Sequence, residues 1–163
     1  MQIWDIGGQS LGSAMMKAYL TGADCLVLVY DITSNESFSN LEDWLEVAKK
    51  SLEEQEAKMP LCVLIGNKTD LSHVRTVKMA KHEQFAKDNG MGQFLVSAKT
   101  GDQVQTAFFR IAADLAGVPL TRPDVQVNSK VVRAEIVNHV KDDPAVKTAE
   151  PPKDGKGGVC VIS

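Results

Sequence analysis

Two uninterrupted apolar runs limit what this chain can fold into. Residues 25–30 read Cys-Leu-Val-Leu-Val-Tyr, and residues 61–65 read Leu-Cys-Val-Leu-Ile. A strand with one wet face alternates apolar and polar residues, and neither run alternates. Short continuous runs of this kind, rich in β-branched side chains, suit strands buried on both faces, as in a parallel sheet covered by helices. Two further strands are expected, a short one at Gln2–Trp4 and another at Gln93–Val96.

Helical spacing fills the intervals between these runs. Phe38, Leu41, Trp44 or Leu45, Ala48 and Leu52 recur on one face from about Glu36 to Glu56. Met79, His82, Phe85 and Ala86 mark a shorter helix that stops at Asn89-Gly90, a good C-terminal signal. Val104, Ala107, Phe108, Ile111, Ala112 and Leu115 mark another, closed by Gly117 and Pro119. Ala14 to Tyr19 forms a short helix after the Gly7-Gly8 turn. Strands alternating with helices imply βαβ units and a doubly wound, mostly parallel α/β sheet. Past Pro119 the character changes. Val131–Val140 is a marginal helix, and from Lys141 the chain is rich in Lys, Asp, Pro and Gly, with periodic apolar residues absent until the last few. Such a composition does not bury a core and reads as a flexible tail. The expected division is therefore a folded domain over 1–117 and a tail over 118–163.

Composition removes several functional classes. The formal net charge is −3, so no global basic field points to nucleic acid. No stretch approaches the ~18 apolar residues of a membrane-spanning helix, and Met1–Asp5 lacks the features of a signal peptide. Cys25 and Cys62 lie inside the apolar runs, where cysteine behaves as a small hydrophobe, and no Cys/His spacing suggests a metal site. His73, His82 and His139 stand beside no candidate nucleophile and are given no chemistry.

The chemistry is concentrated at the ends of two expected strands. Gly66-Asn67-Lys68-Thr69-Asp70 follows the second apolar run. Ligands of open α/β sheets bind outside the carboxyl ends of the strands. Guanine offers N1–H and a 2-amino group side by side, and an ionised Asp70 accepts both; adenine has no such donor pair. Asn67 suits the N7/O6 side of the base and can brace neighbouring loops. The Lys68 stem can lie over the base plane with its ammonium in solvent. Ser97-Ala98-Lys99 follows the next strand, and the Ala98 N–H suits guanine O6. Four residues of the N-K-x-D type are a weak signal alone, since a polar turn often follows a strand. A second loop of the right kind, in the right order, strengthens it.

A third segment, Trp4-Asp5-Ile6-Gly7-Gly8-Gln9, makes a family resemblance plain. Small Ras-like GTPases carry D-x-x-G-Q at the start of the second switch, and Rab proteins read W-D-T-A-G-Q there. Leu28-Val29-Tyr30-Asp31-Ile32-Thr33 with Ser37-Phe38, Leu41 and Trp44 also resembles Rab proteins, as do residues 66–71 and 96–101. The likeness runs from the first residue to about Gly117. Ile6 and Gly7 replace the usual Thr and Ala, as in a divergent branch of the family that ends in a CaaX box.

The resemblance implies a guanine-nucleotide switch in vesicle and membrane traffic that binds GTP or GDP with Mg²⁺ and hydrolyses GTP slowly. By that resemblance Asp5 holds Mg²⁺ through water, the Gly8 N–H bonds the γ-phosphate, and Gln9 orients the attacking water. It implies as partners Rab effectors, exchange factors, GTPase-activating proteins and a prenyltransferase. The phosphate-binding loop G-x-x-x-x-G-K-[ST] of such enzymes does not occur in this sequence. In the family's order a strand, that loop, a helix, the first switch and another strand precede W-D-x-x-G-Q. The expected fold is therefore a truncated P-loop-type G domain whose central first strand is missing, with unpaired strand edges beside the gap. The expected activity of this polypeptide alone is GTP hydrolysis too slow to detect. The alternative is a non-catalytic, prenylated interaction module with a weak guanine site.

Cys160-Val161-Ile162-Ser163 fits C-a-a-X, and Ser at the last position favours a farnesyl group on Cys160. Lys141, Lys147, Lys153 and Lys156 are offset by Asp142, Asp143, Glu150 and Asp154, so no polybasic patch assists. One isoprenoid without such a patch gives reversible anchoring, here expected at the cytoplasmic face of a membrane.

Overall fold

The computed structural model describes residues 1–6, 14–120 and 158–162. Its elements in chain order are β1 (Ile3–Ile6), α1 (Ala14–Leu20), β2 (Ala23–Asp31), α2 (Asn35–Glu53), β3 (Leu61–Asn67), a 3₁₀ segment (Thr69–Val74), α3 (Met79–Asp88), β4 (Gly92–Leu95), α4 (Val104–Ala116) and β5 (Gly158–Ile162). The strands form one sheet in the order β1-β5-β2-β3-β4, and every pairing is parallel. The mostly parallel α/β architecture expected from the two apolar runs is therefore present.

Those runs are apolar throughout because helices cover both faces of the sheet. Leu26, Leu28 and Tyr30 of β2 and Leu64 of β3 pack with Leu41, Trp44, Leu45 and Ala48 of α2 and with Phe85 and Ala86 of α3. Cys25 and Val27, with Val63 and Ile65, turn to the other face and meet Ala107 and Ile111 of α4. Successive residues of a strand point to opposite faces, so two covered faces need apolar residues at every position. Helix α2 begins where Ser34, with extended backbone, accepts a hydrogen bond from Ser37 N–H through its hydroxyl, an N-cap. Its buried apolar residues Leu41, Trp44, Leu45, Ala48 and Leu52 belong to the expected stripe, with Phe38 partly buried beside them. Helix α4 closes on Gly117 at φ 65°, a left-handed C-terminal residue that glycine adopts without steric cost.

Two features depart from expectation. The first strand runs to Ile6 rather than stopping at Trp4, because Ile6 is only 2% exposed and joins the core beside β2. More consequentially, residues 158–162 are a strand and not part of a flexible tail. β5 pairs with β1 through Ile3↔Val159 to Ile6↔Ile162, and with β2 through Cys25↔Val159 to Leu28↔Ile162. It occupies the central position where the resemblance left a gap, so the facing edges of β1 and β2 are both paired. A parallel ladder recruits backbone N–H and C=O groups whatever their place in the sequence, and an open slot between two strands is a strong template. The expected helix at Val131–Val140 and the stretch from Lys141 to Gly157 lie outside the described residues. Among the described residues, no helix is long and apolar enough to cross a membrane.

Candidate functional site

The carboxyl ends of β2, β3 and β4 lie side by side, and three short segments leave them. Register fixes their relation: Asp31 stands opposite Asn67, and Gly66 opposite Leu95. Backbone bonds continue the alignment past the strands, with Ile32 N–H donating to Asn67 C=O at 3.1 Å, Val96 N–H to Gly66 C=O at 2.9 Å and Thr69 N–H to Val96 C=O at 3.1 Å.

Asn67 ties the loops together. Its Oδ1 accepts from the Lys68 N–H at 2.7 Å and from the Ala98 N–H at 3.0 Å. One side-chain oxygen thereby joins the loop after β3 to the loop after β4. Lys68 has φ 70° and ψ 39°, left-handed geometry that costs a residue bearing a Cβ about 1–3 kcal/mol and persists only when its surroundings impose it. The Asn67 oxygen on one side and the bond from Leu71 N–H to Lys68 C=O, 2.8 Å, on the other impose it here.

Asp70 and Ser97 form the second cross-link. The Ser97 hydroxyl donates to Asp70 Oδ1 at 2.6 Å and accepts from Thr100 N–H at 3.2 Å. Ser97 is 1% exposed, so its hydroxyl is a fixed donor. It orients the Asp70 carboxylate, whose Oδ2 has no protein partner among the described residues. Lys99 is exposed beside Ala98.

Gly66 sits under this assembly because nothing larger fits. A Cβ there meets Leu95 Cδ2 at 2.7 Å, the Tyr30 hydroxyl at 2.9 Å and Ile32 Cγ2 at 3.1 Å. The Tyr30 hydroxyl is itself held by His82 Nδ1 at 3.0 Å. Burial, opposed in part by Arg75, raises the Tyr30 hydroxyl to about 12. Burial, aided by Arg75, lowers the His82 imidazole to about 4. The pair is therefore neutral near pH 7, a phenol hydrogen-bonded to an imidazole in the core below the loops.

Sequence reasoning gave no role to Asp31. In the structure its Oδ1 accepts from the Thr33 N–H at 2.8 Å and the Thr33 hydroxyl at 2.7 Å, and its Oδ2 meets the Lys68 ammonium at 2.6 Å. Burial works to raise this carboxyl, but the Lys68 and Thr33 bonds outweigh it and hold it below the usual carboxylate range. The available signal was the Asp-x-Thr spacing directly after a strand, a side-chain turn in which an aspartate accepts from the residue two places on.

The other expected site residues belong to other segments of the chain. Asp5 lies exposed on β1. Gly8 and Gln9 lie outside the described residues. Cys160 is on β5, its backbone in register between Trp4 and Leu26. Among the described residues, no group of three or more His, Cys, Asp or Glu side chains is arranged to hold a metal ion.

The sequence matches a family model described as the Ras family over residues 1–116. Ras-related protein Rab-28 of Caenorhabditis elegans is 40% identical over 163 residues, covering 100% of this chain and 65% of that protein. The chain thus spans just under two thirds of the length of that relative.

Proposed function

Because the chain belongs to the Ras family of small GTPases, and to its Rab type, we propose that the loops after β3 and β4 recognise the base of a guanine nucleotide. The observation that carries this reading is the pair of cross-links, Asn67 to Ala98 and Asp70 to Ser97, which hold a carboxylate and a loop in fixed relation at the strand ends. Asp70 accepts from guanine N1–H through Oδ2 and from the 2-amino group through the remaining lone pair of Oδ1. Adenine has no donor pair to offer. A bidentate contact of this kind discriminates between bases by about 1–3 kcal/mol, or roughly 5- to 150-fold. The Ala98 N–H shares its bond to Asn67 with guanine O6, and the Lys68 stem covers one face of the ring.

The whole protein's activity is proposed by family: a nucleotide-dependent switch in membrane traffic, working with effectors, exchange factors and GTPase-activating proteins. Mg²⁺, when bound, neutralises phosphate charge. By the family resemblance Asp5 would hold it through water, which fits an ion held mainly by water and phosphate oxygens. Base recognition without G-x-x-x-x-G-K-[ST] lacks most of the electrostatic hold on a triphosphate. This chain is therefore proposed to bind guanine nucleotides weakly and to release no measurable phosphate from GTP.

One observation favours the second reading, a non-catalytic interaction module. β5 occupies the position that the resemblance assigns to the strand feeding the phosphate loop. We further propose that Cys160 accepts an isoprenoid and anchors the protein reversibly to a cytoplasmic membrane face, which requires β5 to leave the sheet. Calorimetric titration of the chain with GDP and with ADP tests the base-site reading. GDP binding that Asp70→Ala abolishes supports it; equal heats for the two nucleotides contradict it.

A further inference from the structure

The Lys68–Asp31 pair is built differently from an ordinary surface ion pair. Asp31 is immobilised before the lysine reaches it. Its backbone N–H donates to the Ser37 hydroxyl at 3.1 Å, in the first turn of α2, and its Oδ1 takes both Thr33 bonds. Its side chain is 20% exposed, whereas that of Lys68 is 51% exposed. A half-exposed lysine normally samples many rotamers, because four torsions separate its ammonium from the backbone. Here both ends of that side chain are fixed, the Cα by left-handed backbone geometry and the Nζ by Asp31 Oδ2. An exposed ion pair adds little to stability, so the consequence of this arrangement lies in where it puts the methylene stem.

We propose that Asp31 is a positioning residue for the base site, holding the Lys68 ammonium so that the lysine stem is already laid out as an apolar floor for one face of the guanine. This rests on the reading of residues 67–70 and 97–99 as a base site. Asp31 touches no nucleotide; it acts through Lys68. The stem is ordered in the free protein, so binding the base loses less side-chain freedom. The carboxyl is held below the usual carboxylate range by Lys68 and Thr33 against the effect of burial, which keeps the anchor charged at neutral pH.

The test uses Asp31→Asn, which keeps an oxygen for Thr33 and removes the charge facing Lys68. In the free 163-residue chain, NMR relaxation of the Lys68 side-chain carbons should show a loss of order in the variant. Titration with guanosine should show binding weakened about 5- to 20-fold, the effect of ordering one lysine side chain on binding. In a Lys68→Met background, which retains an apolar stem but no ammonium, Asp31→Asn should change guanosine affinity by less than about twofold, because contacting residues couple and the contact is gone. An equal loss in both backgrounds means that Asp31 acts through Thr33 and Ser37 on the loop as a whole, and overturns the proposal. Unchanged Lys68 order also overturns it, with or without nucleotide. If the unaltered chain binds no guanosine while Lys68 still loosens in Asp31→Asn, the positioning of Lys68 stands and the base-site reading falls.

Discussion

Replacing Gly66 by alanine should destabilise the fold by about 1–3 kcal/mol, the usual cost of overpacking a filled site. The magnitude follows from what the new methyl meets. Carbon atoms in favourable contact stand about 3.5–4.0 Å apart, and a Cβ on Gly66 lies 2.7 Å from Leu95 Cδ2, 2.9 Å from the Tyr30 hydroxyl and 3.1 Å from Ile32 Cγ2. Leu95 is half-buried and can turn toward solvent. Tyr30 has no such freedom: it is 2% exposed, bonded to His82 Nδ1 at 3.0 Å and edge-on to Phe38 with ring centroids 5.0 Å apart. Pushing its hydroxyl aside leaves a buried ring nitrogen without a partner, which by itself costs about 1–3 kcal/mol. Gly92 is the control on the adjacent strand. A Cβ there meets Val63 Cγ2 at 3.5 Å, ordinary contact, and Gly92→Ala should change stability by less than about 0.5 kcal/mol. Urea unfolding followed by circular dichroism, with both variants at the same pH, measures the difference. If Gly66→Ala is as stable as Gly92→Ala, the account of a filled layer under the base loops is wrong.

Three further outcomes are expected. The His82 imidazole falls from 6.5 to about 4 on folding, so between those values the unfolded chain binds more protons. Stability is then lost as pH falls from about 6.5 through about 4, by at most about 3 kcal/mol, and His82→Gln should flatten that pH dependence in urea titrations; identical slopes would count against it. Asn67→Ala removes the acceptor shared by Lys68 and Ala98, and hydrogen exchange at the Ala98 amide should accelerate by about tenfold, the equivalent of one net hydrogen bond; unchanged protection would show that the loops are held by other means. Val159→Pro removes a backbone donor from a strand paired on both sides, while sparing Cys160. Farnesyl transfer to Cys160 from farnesyl diphosphate by a purified transferase should then be faster than in the unaltered chain, and equal rates would mean that β5 does not restrain the cysteine.

Much of the sheet was legible because burial on both faces leaves an unambiguous mark. Cys25–Tyr30 and Leu61–Ile65 have no polar residue to suggest any other setting, and the structure only lengthens them to Ala23–Asp31 and Leu61–Asn67. α2 was legible for the complementary reason, a stripe of Leu41, Trp44, Leu45, Ala48 and Leu52 on one face. β1 was less so, since Trp4 and Asp5 are partly or fully exposed and only Ile6 is buried. β5 could not be read as a strand from its own residues. Gly-Val-Cys-Val-Ile is short, follows a polar stretch, and becomes a strand because β1 and β2 leave a slot for it. Within the candidate site, Asn67, Lys68, Asp70 and Ser97 stand out by their spacing after strands, and the structure places them in two cross-linked loops. Asp31 and the Tyr30–His82 pair were not, because their roles depend on contacts between residues 37 and 52 positions apart in the chain. His82 did carry a partial signal, its place on the apolar stripe of α3, which predicts burial but not a partner.

The central claim is that the Asp70 carboxylate reads the donor edge of guanine, and an exchange of hydrogen-bonding partners tests it most directly. Xanthine carries a carbonyl where guanine has the 2-amino group. Asp70→Asn replaces one acceptor oxygen by a donor amide, matching N1–H with its oxygen and the new carbonyl with its nitrogen. Calorimetric titration of both proteins with guanosine and xanthosine diphosphates should show a reversal, the unaltered chain preferring the guanine nucleotide and Asp70→Asn the xanthine nucleotide. A preference that is the same in both proteins would contradict the assignment of Asp70 as the reader of the base.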